Sequence, residues 1–391
     1  MTLLLRRRSE VGLIVWVAAL AITGSVAVAA ADAAAFDRRQ VFIPIAFIAL
    51  MLGLHLFLAW RGVRGDQLLF PLAAGLSAIG LILVQRLQPA DQPLLLQQLT
   101  WMIVAAGAFA ATILIPRDLT ALARFKWTWA ILGLVLLISP LLPVIGREIN
   151  RRMGPFPIPP VPYLLPILAM WAMAMVVVIF EKDLGAALLF LGIFLAMLYL
   201  ATGEAFYTLI GLALLAAGGF AVYQLIGHVH VRIDTWLQPF SEELRFGAGY
   251  QIVQGLFALG NAGLFGAGLG NGMPDRIPIV WSDFVFNAFA EETGFAGALI
   301  LLALYLLFFY RGMLIAVRAP TPFLQLLAGG LSFIVAFQTL VIVGGNARLI
   351  PLTGVTLPFV AYGGSSLVTN WMLVALLMRV SDVTARVRGT E

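Results

Sequence analysis

The 391 residues are 62% hydrophobic and 11% charged, with a mean hydropathy of +1.00, which excludes a soluble globular domain: a chain this apolar lacks the polar surface to stay in solution. The net charge of +5 would suit nucleic acid in a soluble protein. Here most Lys and Arg stand at the ends of apolar runs, where they orient helices and meet anionic membrane lipid, so no nucleic-acid partner is expected. Without cysteine there are no disulfides, thiolate metal sites or thiol nucleophile.

The apolar residues come in blocks of about 20, the length of a helix that crosses a bilayer. The short alternating strands of a membrane barrel are not seen. A segment in lipid must satisfy its own backbone hydrogen bonds, so the fold expected is an all-α polytopic membrane protein of about 11 helices. The first, 11–31, follows Arg6, Arg7 and Arg8 and ends in Ala-rich sequence. It resembles a signal peptide, but its apolar run is long for one, and a retained helix is expected. The others are expected at 41–60, 67–85, 97–115, 127–145, 162–180, 184–202, 206–226, 284–310, 323–344 and 355–379. The long spacer at 227–283 is rich in Gly and aromatic residues, which argues for an ordered loop.

Short loops rich in Lys and Arg face the cytoplasm. Candidates are the N-terminus, Arg61 and Arg64, then Arg117, Arg124 and Lys126, then Arg311 and Arg318, and the tail with Arg379, Arg386 and Arg388. Counted from an inside N-terminus, 146–161 falls outside. Counted back from an inside C-terminus, 227–283 falls outside and 146–161 inside. The halves disagree by one crossing near Gly146–Pro160.

Asp283 stands where the long loop meets the ninth span, in Ile277-Pro-Ile-Val-Trp-Ser-Asp-Phe-Val-Phe-Asn-Ala-Phe-Ala-Glu-Glu292. A carboxylate there is either a general base for a substrate hydroxyl or an ordinary helix cap. Glu291 and Glu292 lie within the span, where ionisable groups usually face a polar interior or form a structural hydrogen-bond pair between helices. Helical spacing keeps Glu291 near the face of Asp283 and Asn287 and turns Glu292 away. The run Gly260-Asn-Ala-Gly-Leu-Phe-Gly-Ala-Gly-Leu-Gly-Asn-Gly272 suits either an anion cradle or close helix packing. Pro351 to Ser366 holds two prolines and three glycines at the entry to the last span, after Asn346 and Arg348. Broken helices at membrane depth line cavities or pack in protein. Asp183 sits in a tight turn between spans or in a site wall. Arg232 and Trp236 suit an anionic lipid head or plain interfacial anchoring. His228 and His230 do not make a zinc site, being two apart with no third ligand nearby.

These pieces occur together and in order. Arg232-Ile-Asp-Thr-Trp-Leu-Gln-Pro-Phe240, Gly247-Ala-Gly-Tyr-Gln-Ile-Val-Gln254, the Gly263–Gly270 run, Ser282-Asp-Phe284 and Glu291-Glu292 resemble the external loop of the SEDS family, the RodA/FtsW/SpoVE group. Leu349-Ile-Pro-Leu-Thr-Gly-Val-Thr-Leu-Pro-Phe-Val-Ala-Tyr-Gly-Gly-Ser-Ser366 is similar to that family's C-terminal signature, and Asp183-Leu-Gly185 to its mid-chain motif. The likeness runs from about Gln67 to Arg379. It implies a SEDS-like membrane domain at 67–391 preceded by an added helix pair at 1–66. Two stretches depart from the family: that pair, and Arg151-Arg-Met-Gly-Pro-Phe-Pro-Ile-Pro-Pro160, which runs straight into the helix before Asp183. There the family has a Pro-Ser-Glu-x-x-Lys motif opening a further core helix.

The resemblance implies a bacterial cytoplasmic-membrane glycosyltransferase that polymerises lipid II into glycan strands at the outer face, for elongation or division, beside a class B penicillin-binding protein. Asp283 would be its base, and undecaprenyl pyrophosphate its leaving group. Arg232, Trp236, Tyr250, Gln251 and Gln254 would meet substrate from the loop. Asp183, Glu291, Asn346 and the run Gly363, Gly364, Ser365 and Ser366 would meet it from the bundle. No cofactor is required by these residues; basic side chains, backbone amides or a divalent cation, Mg or Mn, would steady the diphosphate. A flippase for the lipid-linked precursor would show paired broken helices in both halves, and one such segment is found. A non-catalytic scaffold for the penicillin-binding protein is the third reading, favoured by the missing Glu and Lys.

Overall fold

The computed structural model describes residues 7–31, 39–89, 92–114, 184–225 and 227–389. Among them stand eleven α-helices and one 3-10 turn, Pro274–Arg276. The helices are α1 (Arg8–Ala31), α2 (Arg39–Trp60), α3 (Leu69–Leu87), α4 (Leu94–Leu114), α5 (Leu184–Thr202), α6 (Ala205–Leu225), α7 (Gly227–Leu237), α8 (Tyr250–Asn261), α9 (Val285–Arg318), α10 (Pro322–Asn346) and α11 (Gly364–Arg388). Eight of these, α1 to α5 and α9 to α11, are long and apolar enough to cross a membrane. The expected spans 127–145 and 162–180, the 146–161 stretch and Asp183 lie outside the described residues.

Where spans and helices can be compared, the ends differ by a few residues, with two larger corrections. The ninth runs on to Arg318, and the last begins at Gly364 instead of 355. Residues 351–363 are not helical, because Pro351, Gly354 (φ 71) and Pro358 punctuate them. Their carbonyls are satisfied from the surrounding bundle, as irregular backbone at membrane depth demands. Tyr305 Oη donates to Pro358 O (2.5 Å) and Gln338 Nε2 to Thr356 O (2.7 Å). Gly80 lets α3 lie directly against Phe359 and Val360; a Cβ there would come within 2.6 Å of Val360 O.

The core forms around α3. In α3, 83% of the crossing stretch is buried within the protein, against 22% in α5, which faces outward. Phe70 from α3, Phe109 from α4 and Phe359 surround Trp371 of α11, with ring centroids 5.7 to 6.4 Å from it in edge-to-face arrangements, the preferred aromatic geometry. α4 lies along α11, α9 along α10, and α1 along α3 and α2.

One end of the bundle gathers charge. Arg7 Nε donates to Glu10 (2.8 Å), and Arg7 also donates to the carbonyls of Val63 (2.8 Å) and Asp66 (3.1 Å). Glu10 meets His55 Nδ1 at 2.6 Å. Asp66 pairs with Arg311. Asp382 accepts from the Arg64 amide (2.7 Å) and from Arg386 Nε (3.0 Å). The N-terminus, Arg61–Arg64, Arg311 and the tail therefore share one end, which the positive-inside rule makes cytoplasmic. α4 leaves the outer end, where Gln97 meets Tyr362 and Trp101 packs on Gly364, and runs parallel to α11 toward the inner end. α5 starts at the outer end, with Gly185 against Thr353, and descends antiparallel to α10, with Met197 reaching Gly330. The disagreement of one crossing counted from the sequence falls between α4 and α5, in residues outside the described set.

Candidate active site at the outer end

The expected loop at 227–283 is ordered: α7, α8 and the 3-10 turn are built from it. Its base is stitched into a helix. α9 breaks at Gly294 (φ 73, ψ −176), so the carbonyls of Glu291 and Glu292 lose their own helical donors. The Gly-rich run replaces those partners. Ala267 N–H donates to Glu291 O and Gly268 N–H to Glu292 O (both 2.9 Å), while Phe295 and Ala296 donate back to Gly263 O and Leu264 O (both 3.0 Å). Gly266 (φ 77) and Gly294 lie so close that a Cβ on either would overlap the other's strand. The run completes the hydrogen bonding of a broken membrane helix.

Both glutamates are buried, Glu291 at 5% and Glu292 at 2% exposure. Glu292 accepts from Arg86 Nε (2.9 Å) and from the Gly270 amide (3.0 Å), and Arg86 also donates to Gly270 O (3.3 Å) and Gly272 O (3.2 Å). Glu291 accepts from the Met273 backbone. Both carboxylates therefore meet the 266–273 segment. Arg86 was missed because the third span was ended at Gln85; an arginine in the last turn of an apolar helix is itself a signal for a partner.

From this base the chain rises to Asp283. Gln251 Nε2 donates to Pro278 O (2.7 Å), and the Tyr362 amide to Trp281 O (2.9 Å), so α8 and the 351–363 segment brace the strand before the carboxylate. Phe284 is fully buried and pins its other side. Asp283 itself is half-buried and accepts from the Ser282 hydroxyl (2.8 Å). It does not cap α9: the residue at that position is Phe284, with no side-chain bond. Burial pushes the Asp283 carboxyl above the ordinary carboxylate range, and the Ser282 hydroxyl and the Arg232 guanidinium offset part of the rise.

Four residues after Asp283, the fully buried Asn287 donates to Gly255 O (2.9 Å) and Asn346 O (3.3 Å), joining α9, α8 and α10. Asn346 keeps both side-chain polar atoms, and Asn287 its Oδ1, without a hydrogen-bond partner among the described residues. Arg232 is exposed on α7, and Trp236 lies one turn on, its indole N–H bonded to Arg348 O (3.1 Å). Trp236, Leu237, Leu256, Ala347 and Arg348 line a cleft of about 430 Å³. Tyr250 and Gln254 are half-buried on one face of α8. In the Gly363–Ser366 run, Gly364 makes room for the Trp101 ring of α4, and the Ser366 hydroxyl and carbonyl accept from Asn370 (3.2 and 2.8 Å). Asp283, Arg232, Gln251, Trp236 and Asn346 are thus brought to one outer region. Among the described residues no three His, Asp or Glu side chains gather as ligands for an ion.

The class so defined is a multi-pass membrane protein carrying a half-buried carboxylate at the outer mouth of its bundle. A family model described as "Cell cycle protein", for FtsW, RodA and SpoVE, matches residues 159–386. The chain is 36% identical to the peptidoglycan glycosyltransferase RodA of Mycobacterium tuberculosis, with 97% of this chain and 92% of the relative covered. It is 32% identical to the probable peptidoglycan glycosyltransferase FtsW of Pseudomonas fluorescens, with 84% and 91% covered. Among solved structures, one reported for the structural coordination of polymerization and crosslinking by a peptidoglycan synthase complex overlays with a TM-score of 0.67 at 25% identity, covering 84% of this chain and all of that one. The rod shape determining protein RodA of Thermus thermophilus overlays at 0.55, also at 25% identity, covering 83% and 97%. This chain belongs to the FtsW/RodA/SpoVE family. The mycobacterial alignment runs over 431 positions, more than the 391 residues here, so that relative carries residues inside the matched region which this chain lacks.

Proposed function

We propose that the chain is a peptidoglycan glycosyltransferase of the bacterial cytoplasmic membrane, which polymerises lipid II at the outer face, with Asp283 as general base. Asp283 takes the proton of the acceptor's 4-hydroxyl. That oxygen forms a bond to the donor's anomeric carbon with inversion. The bond from that carbon to the diphosphate breaks, and undecaprenyl pyrophosphate leaves with the electron pair. The Arg232 guanidinium, exposed on α7, favours the ionised form of the carboxylate and would meet the phosphate groups. The observation that carries the reading is the placement of Asp283: half-buried, outside the apolar spans, and braced by bonds on both sides.

The test is polymerisation of purified lipid II. Glycan strands should form with the native chain, and Asp283→Ala should lower the rate by about 100-fold or more, the usual worth of a positioned base. Strands formed equally by both proteins would remove Asp283 from the chemistry.

One observation favours a second reading, a non-catalytic scaffold for a class B penicillin-binding protein: the relative's extra residues within the matched region. Under that reading the native chain makes no polymer yet still co-purifies with the transpeptidase.

A further inference from the structure

Arg348 has a positive φ of 59°, one of three such non-glycine residues among those described. The left-handed region favours glycine, and a bulky side chain stays there only when its surroundings hold it. Here the side chain makes the hold. Arg348 Nε donates to Trp236 O (2.8 Å) and Nη2 to Leu237 O (2.7 Å), while the Trp236 indole N–H returns a bond to Arg348 O (3.1 Å). A cation thus closes on the last carbonyls of α7, where the helix dipole is negative.

The same region joins α7 to the catalytic helix. Arg348 follows Asn346 by two residues, and Asn346 O accepts from Asn287 of α9. Asn287 lies four residues after Asp283, and Trp236 four residues after Arg232. On α7, residues four apart share a helix face, so Arg232 lies one turn from Trp236. Trp236 and Asn287 are the anchors joined through the 346–348 stretch, and Asp283 stands just before the first turn of α9.

We infer that Arg348 is a positioning residue for the transferase: its clasp on the end of α7 sets Arg232 beside Asp283. This rests on the reading of Asp283 as the base. Arg232 is the charge on α7 that bears on Asp283; His230 and Asp234, two residues to either side and so on the opposite face of α7, meet each other at 3.2 Å. Without the clasp α7 is held less firmly, Arg232 moves off, and the carboxylate loses a neighbour that favours its ionised form.

The experiment is the pH dependence of lipid II polymerisation by the full-length chain, native and with Arg348→Gln, Arg232→Gln and both together. Each single change should move the acid limb to higher pH, by a few tenths of a unit to about one unit for a partly exposed partner. The double variant should move it no further than Arg232→Gln alone. Arg348→Gly provides the folding control, because glycine suits the backbone and removes only the clasp; it should melt near the native temperature and still shift the limb. An unchanged acid limb in Arg348→Gln and Arg348→Gly, or a double shift equal to the sum of the singles, would overturn the inference. Asp283→Ala tests the underlying reading separately: full activity there removes the base whatever Arg348 does.

Discussion

Asp283 is held at a cost, since a carboxylate taken partly out of water prefers its proton. Its raised pKa in the folded chain means that the fold is favoured while the group is protonated. That contribution is complete below the ordinary carboxylate range and is lost as pH rises through the raised value. Asp283→Asn keeps the shape and removes the charge. At neutral pH it should melt slightly higher, on the order of 1–2 °C, while polymerisation falls. Thermal unfolding in detergent beside the lipid II assay checks both. A lower melting temperature would mean that the ionised carboxylate contributes to the fold. Asp283 was singled out by the resemblance of Ser282-Asp-Phe284 to the family's external loop; its residue type and place alone left a base and a helix cap both open. The role of Arg348 was not legible: it depends on a backbone angle and on carbonyls 111 and 112 residues away.

At the scale of elements, most helix positions could be read because a bilayer imposes a length and an apolar composition. The break at Gly294 could not. Residues 285–318 are apolar enough to pass as one span, and only Glu291, Glu292 and the preceding Gly run hint that two segments meet. The hydrogen-bond exchange between Gly263–Gly268 and Glu291–Ala296 predicts sharply different costs for glycine substitutions. Gly294→Ala places a side chain against Gly266 N and Leu264 O at a positive φ, and should cost about 2 kcal/mol or more. Gly218→Ala on α6, where a Cβ meets nothing within 4 Å, should be neutral or stabilise by up to about 1 kcal/mol. Paired melting curves of the two variants test the stitch; equal losses would refute it. The late start of α11 has the same origin as the break: tertiary partners such as Tyr305 and Gln338 satisfy backbone that the apolar pattern assigned to a helix.

Across the whole molecule, sidedness was legible from the arginines, because the charged termini and inner turns converge at one end. How they pair was not. Arg7, Glu10 and His55 are each at most 2% exposed. Removing one charge from such a cluster strands the others. Glu10→Gln should cost about 3–5 kcal/mol, whereas replacing all three with apolar residues of similar volume should restore much of the loss. Unfolding of the single and triple variants decides between the two; a harmless Glu10→Gln would mean that the cluster is not ionic. The same inner end bears on how the protein meets its bilayer. α3 begins in this cluster, where Asp66 Oδ1 accepts from the amides of Leu68 (2.7 Å) and Leu69 (3.1 Å) and the same carboxylate pairs with Arg311. It ends at Arg86, clasped to Glu292 and the glycine loop. A helix of 19 residues, about 28 Å long, is tethered at both of its ends and cannot slide or tilt without breaking one set of bonds. Thickness mismatch must then be absorbed by the lipid-facing helices around it, leaving the height of the carboxylate above the hydrocarbon nearly independent of lipid chain length.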